Sequence, residues 1–150
     1  MNKTDVYEIE FKGMPHESEV CSVGHMDKYL YGGIQTIPRS MKVFICFNNF
    51  YTHKWSHYRV IPESVGQNTR LKTNSGIFIF TGDIIKSPKG NMHVIRYDKL
   101  TASYVAEFIP YNEINPHSSI TQEWITRWGK EVIGTEYNNP ELLNKEKQYV

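Results

Sequence analysis

A chain of 150 residues, 39% hydrophobic and 22% charged, is long and apolar enough to bury a core and lies outside the disordered regime. Its net charge of +1 hides a division. Residues 1–38 carry three basic and six acidic side chains, residues 39–99 ten and three, and residues 100–150 four and seven, so a basic middle lies between acidic ends. Two cysteines, Cys21 and Cys46, exclude the disulfide framework of a small secreted domain. No apolar run approaches the ~18 residues of a membrane helix, and the first residues lack the apolar core of a signal peptide. The expectation is a reduced, cytoplasmic protein with no membrane partner.

In chain order, Glu8-Ile9-Glu10-Phe11-Lys12 alternates with period two and predicts a half-buried strand. Gly13 to Gly24, with Met14-Pro15, reads as a connection. Lys28-Tyr29-Leu30-Tyr31 predicts a short strand stopped by Gly32-Gly33. Met41–Phe47 and Tyr58–Ile61 predict two more, separated by the aromatic, polar link Asn48 to Trp55. After Pro62, the stretch Val65 to Ile85 places turn formers at Lys72-Thr73-Asn74-Ser75-Gly76, a strand at Ile77–Phe80, a break at Gly82-Asp83 and a new strand at Ile84-Ile85. Ser87-Pro88-Lys89-Gly90-Asn91 reads as a hairpin loop leading into His93–Tyr97, and Ser103–Ile109 as a strand stopped by Pro110. Ile120, Trp124 and Trp128 recur at i, i+4 and i+8 and predict a short amphipathic helix, with a strand of alternating Ile120, Gln122 and Trp124 as the alternative. Val132-Ile133-Gly134 ends a strand, and Asn139-Pro140-Glu141 has the pattern of an N-cap and first helical turn.

Four pieces of this order carry a family resemblance. Ile9, Phe11, Lys12 and Gly13 match an I-x-F-(Lys/Arg)-G strand, and Tyr29, Tyr31 and Gly32 a Trp/Tyr-x-Tyr-Gly strand. Val65-Gly66-Gln67-Asn68-Thr69-Arg70-Leu71-Lys72, with Gly82-Asp83-Ile84-Ile85, follows V-G-Q-(Tyr/Phe)-T-G-L-K and its closing G-D-(Ile/Val)-(Ile/Val). Glu131-Val132-Ile133-Gly134 through Asn139-Pro140-Glu141-Leu142-Leu143 follows E-V-I-G…N-P-E-L-L. Together they resemble the YopX family of phage and prophage proteins, from about Glu8 to Leu143. The resemblance implies an SH3-like small barrel in the C-terminal part, packed on an N-terminal β-containing half. The sequence departs from the pattern at Asn68, Arg70 and Thr73-Asn74. If the family's Gly supplies a positive φ, Arg70 is strained in its place, so the loop is expected to take another shape. As departures, Asn68 and Arg70 are also where a partner contact is expected.

For chemistry, Cys21-x3-His25, Cys46 and His53-x3-His57 contain zinc-ligand types but lack a close cysteine pair, so no metal or cofactor is expected. His53 and His57 beside Trp55 and Tyr58 suggest a general base with a stacking surface. No nucleophile pattern such as G-x-S-x-G or H-E-x-x-H accompanies them, and catalysis is not expected. Arg39, Lys42, Lys54, Arg59, Arg70 and Lys72 interleave with Phe50, Tyr51, Trp55 and Tyr58, which is the residue mixture that tracks phosphates and stacks unpaired bases. The expected fold is α+β, mainly β: residues 1–64 a β-rich half, 65–143 the barrel half with short helices, and 144–150 a polar tail. The expected role is a non-catalytic phage or prophage accessory protein, a homo-oligomer acting through contacts with itself or with a phage or host protein. Binding of single-stranded nucleic acid through Lys42, Lys54, Trp55, Arg59, Arg70 and Lys72 is the alternative, and metal-dependent catalysis a more distant one.

Overall fold

Eleven short strands, one α-helix and three 3-10 turns make up the computed structural model, which describes residues 9–19, 27–49 and 52–144. Glu8, Cys21, His25, Phe50, Tyr51 and residues 145–150 of the features above lie outside them. The chain divides into two compact units, Met1–Gln67 and Asn68–Val150. The fold is mainly β, with antiparallel pairing throughout. Among the described residues no helix is long and apolar enough to cross a membrane.

In the first unit, β1 (Phe11–Gly13), β2 (Leu30–Ile37), β3 (Lys42–Asn49) and β4 (Lys54–Val60) lie in the order β4-β3-β2-β1. Gly66 and Gln67, which begin β5 (Gly66–Lys72), pair with Lys12 and Phe11. The sequence signals misplace two boundaries here. Gly32-Gly33 does not stop β2, which continues to Ile37 along β3. Both ends of the link from Asn48 to Trp55 are strand: Asn48 pairs with Trp55 and Asn49 with Lys54, so the pairing of β3 and β4 runs into the link. The interior of the unit holds Met14, Ile45 and Val60, with the Phe47 and Tyr58 rings 5.6 Å apart. A 3-10 turn at Pro62–Ser64 closes it, where the Ser64 hydroxyl accepts from Met14 N–H at 2.7 Å and donates to Ile61 C=O at 2.6 Å.

In the second unit the later part of β5 pairs with β6 (Phe78–Phe80), Asn68 opposite Phe80 and Lys72 opposite Phe78. A five-stranded sheet follows in the order β10-β9-β8-β7-β11: β7 (Asp83–Lys86), β8 (Met92–Asp98), β9 (Ser103–Ile109), β10 (His117–Ser119) and β11 (Glu131–Thr135). This order has two ends, and no closed barrel is found among the described strands. Between β10 and β11 lies α1 (Gln122–Arg127), whose N-cap Thr121 accepts from Trp124 N–H at 3.1 Å. The core is Ile79, Ile85, Ile95, Ala106 and Ile125, with Ile120 and Trp124 packed against it. Ile125, not Trp128, is the buried member of the helix. Each fully buried isoleucine contributes on the order of 2 kcal/mol.

The signature stretch is built differently from the expectation. Gly66–Lys72, which carries few strand formers, is a strand with an irregularity between Asn68 and Lys72. Arg70 sits in that irregularity at φ +68°, the conformation a glycine would adopt without cost. The loop therefore keeps a glycine-like shape, and Asn68 explains how: its side chain is buried and accepts from Arg70 N–H at 2.8 Å, stabilising the turn. Asn68 is structural, and the expectation that it meets a partner is withdrawn. Arg70→Gly is expected to raise unfolding stability by about 1 kcal/mol and Arg70→Val to lower it, read as shifts of the urea midpoint at constant slope.

The C-terminal motif is structural in the same way. Ile133 is the extra residue of a β-bulge, and a Cβ on Gly134 would lie 2.3 Å from Asn139 Oδ1. That vacancy lets Asn139 reach back and accept from Thr135 N–H at 3.2 Å. Asn139 thus pins β11, while the following turn at Pro140–Asn144 is 3-10.

Candidate functional site

Alternation along β3 and β4 sorts the basic, aromatic residues by face. Lys42, Phe44, Cys46 and Asn48 of β3 project to one side, and their β4 neighbours Arg59, His57 and Trp55 to the same side, since Phe44 pairs with Arg59, Cys46 with His57 and Asn48 with Trp55. Gln35 and Gly33 of β2 extend that face opposite Phe44 and Cys46. The other side carries Val43, Ile45, Phe47, Tyr58 and Val60, the apolar set that forms the interior. The face thus exists because period-two alternation commits one set of side chains to the core and leaves the other set outward.

Its chemistry is cationic and aromatic. Trp55 is 72% exposed, so its ring is available for stacking. Phe44 and His57 meet edge to face with centroids 6.4 Å apart. From Trp55 to Arg59 the β4 row spans about 13 Å. β2, β3 and β4 contain no Asp or Glu at all, and among the described residues Lys42 and Arg59 make no side-chain ion pair. A carboxylate does meet the sheet's edge: Glu19 accepts from the Arg59 main-chain N–H at 3.1 Å, in the plane of the sheet. Beside Trp55 a groove of about 470 Å3 runs past Gly33, Cys46 and Asn48, with Glu10 on its wall. Cys46 carries a free thiol whose pKa is pushed up by burial, and its Sγ lies 3.8 Å from Gln35 Oε1, so it behaves as a packed residue rather than a nucleophile.

Of the six residues nominated from the sequence, Lys42, Trp55 and Arg59 come together on this face. Lys54 pairs with Asn49 and by alternation belongs to the opposite side. Arg70 and Lys72 belong to the second unit, where the Lys72 ammonium lies 4.4 Å from the Phe78 ring centroid. Lys72 is further held by Gln122, which accepts from its N–H at 2.9 Å and donates to its C=O at 2.7 Å. The cluster of His53, His57, Trp55 and Tyr58 is divided too, with Tyr58 inward and His53 in the hairpin turn at φ +52°. Among the described residues no three His, Cys, Asp or Glu side chains converge as metal ligands. Gln35 and Phe44 were missed by the sequence reading, which weighed His57 only as a metal ligand or general base. The signal was present in the spacing of Trp55, His57 and Arg59, but it appears only once the link is read as a hairpin.

Fold and face together define a mainly β protein of two antiparallel sheets whose first unit presents a cationic, aromatic face. The family model described as YopX protein matches residues 26–144, and the chain belongs to this family. No curated protein matches it.

Proposed function

We propose that this chain is a non-catalytic accessory protein of phage or prophage origin, working in the cytoplasm of a bacterial host, and that the outward face of β3 and β4 binds single-stranded nucleic acid. The observation that carries the reading is the face itself: Lys42, Arg59, His57 and an exposed Trp55 on β3 and β4, which with the adjacent β2 contain no carboxylate. Lysine and arginine track phosphates, and an exposed indole stacks any base. The small-barrel reading of the second unit belongs to the same proposal, supported by its short antiparallel strands around one isoleucine core.

Fluorescence anisotropy with labelled single-stranded DNA and RNA tests it. Two neutralised phosphates give a log–log salt slope of about −1.4. Lys42→Glu with Arg59→Glu is expected to weaken binding at about 50 mM salt by more than tenfold and to flatten the slope. Trp55→Ala is expected to cost about 1–3 kcal/mol. No binding at low salt, or binding unchanged by the double reversal, overturns the reading.

A second reading, self-assembly through protein contacts, is favoured by the apolar side chains that the β2–β3 hairpin leaves exposed, Ile34, Ile37 and Met41, the last 87% exposed. Light scattering after size exclusion decides it: a concentration-independent monomer removes it.

A further inference from the structure

The second unit contains a chemical combination that the binding face does not use. His93 on β8 and Lys130, the residue before β11, are each only 3% exposed. They line a cavity of about 200 Å3 whose remaining walls include Phe108 of β9 and Trp124 and Trp128 of α1 and its C-cap. The imidazole lies between rings, 4.5 Å from Phe108 and 5.3 Å from Trp124 between centroids. The ammonium lies 4.9 Å from the Trp124 centroid. Trp128 is 47% exposed, so the cavity reaches the surface.

The polar groups are poorly matched within the protein. Lys130 Nζ reaches His93 Nδ1 at 3.4 Å and Asn91 C=O at 3.5 Å, both long for hydrogen bonds, and among the described residues no carboxylate lines the cavity. An ammonium facing Nδ1 makes that nitrogen the acceptor, so the imidazole proton sits on Nε2. His93 Nε2 is buried and has no partner among the described residues. A buried N–H without an acceptor, next to a buried cation without a counter-ion, is a costly arrangement that one small anion would relieve. Burial lowers the pKa of Lys130 from its ordinary value. Burial, and then the Lys130 charge, lowers His93 to about 4, so near pH 7 the imidazole is a neutral donor.

We propose that this cavity is a binding site for a small monocarboxylate with an apolar body of about one ring, one carboxylate oxygen meeting Lys130 Nζ and the other His93 Nε2–H, while Phe108, Trp124 and Trp128 enclose the body. An apolar cavity of about 150 Å3 already admits benzene, so the space suits a ring with its carboxylate but not a nucleotide. A phosphate would bring more charge and more acceptor oxygens than this cation and this donor could satisfy, and it has no apolar part for the aromatic walls.

Titration with benzoate tests the site, read by tryptophan fluorescence and calorimetry on the full chain, with benzamide and inorganic phosphate as comparisons. Saturable benzoate binding with a Kd of about 1 mM or tighter is expected. Benzamide and phosphate should each bind at least tenfold more weakly. Lys130→Met, which keeps the apolar stem, should lose at least tenfold in benzoate affinity. The exposed Trp128→Ala serves the same purpose should the lysine variant not fold, with weakened binding expected. Benzamide or phosphate binding as tightly as benzoate, wild-type affinity in the folded variant used, or no saturable benzoate binding overturns the proposal.

Discussion

Gly32→Ala is expected to destabilise the first unit by about 3 kcal/mol, whereas Gly33→Ala, one residue on, should change stability by less than about 1 kcal/mol. The contrast follows from the register. A Cβ on Gly32 would stand 2.2 Å from the Cys46 carbonyl oxygen and 3.0 Å from its carbon, backbone atoms of the adjacent strand that no rotamer change can move. A Cβ on Gly33 would find the same oxygen at 3.8 Å, an ordinary contact. β2 is an interior strand here, with Gly32 opposite Phe11 of β1 and Gly33 opposite Cys46 of β3. The Gly32 clash must therefore be relieved by separating β2 from β3. Urea unfolding of both variants measures the difference, and equal midpoints would contradict the register. Because β3 carries Lys42 and Phe44, Gly32→Ala should also weaken oligonucleotide binding, which Gly33→Ala, on the face itself but sterically tolerated, should preserve.

Gly32 also shows why the sequence is partly misleading. A glycine pair after a short aromatic strand has the pattern of a turn, yet here glycine serves a close approach of strands, and only the three-dimensional neighbour reveals which. Strands whose burial is apolar were legible: Ser103–Ile109 is bounded as its β-branched and aromatic residues indicate, and a short helix does form at Gln122–Arg127, although of Ile120, Trp124 and Trp128 only Trp124 lies within it. β5 was not legible, because its buried residues are polar. Asn68, Thr69 and the following Thr73 are all buried, and their cost is offset by tertiary bonds such as Thr69 Oγ1 donating to Ile79 C=O at 2.7 Å. The cationic face was half legible, since the residue types were visible but their sides were not. The cavity was illegible for another reason. His93 and Lys130 are far apart in sequence, belong to no spacing motif, and meet only because β7 lies between β8 and β11 in the sheet.

The same pair predicts a distinct acid limb of stability. In the folded chain His93 titrates at about 4, against an ordinary 6.5, because burial and then the Lys130 charge disfavour the imidazolium. As pH falls below about 6.5 the unfolded chain takes up this proton first, so stability declines until about pH 4, where the folded form is protonated as well. Each unit of depression corresponds to about 1.4 kcal/mol, which bounds the loss at about 3 kcal/mol once the cavity's access to solvent is allowed for. Among the described residues lining the cavity, Lys130 is the only other titratable group, so no carboxylate there opposes the trend. Urea unfolding between pH 7 and 4 should show His93→Gln losing less stability than the wild type by up to that amount, and parallel curves would refute a buried neutral imidazole. Bound benzoate supplies the missing negative charge and should hold His93 protonated to higher pH. In its presence the acid limb should narrow in the wild type and stay unchanged in His93→Gln, a response that non-specific stabilisation by the ligand would not produce.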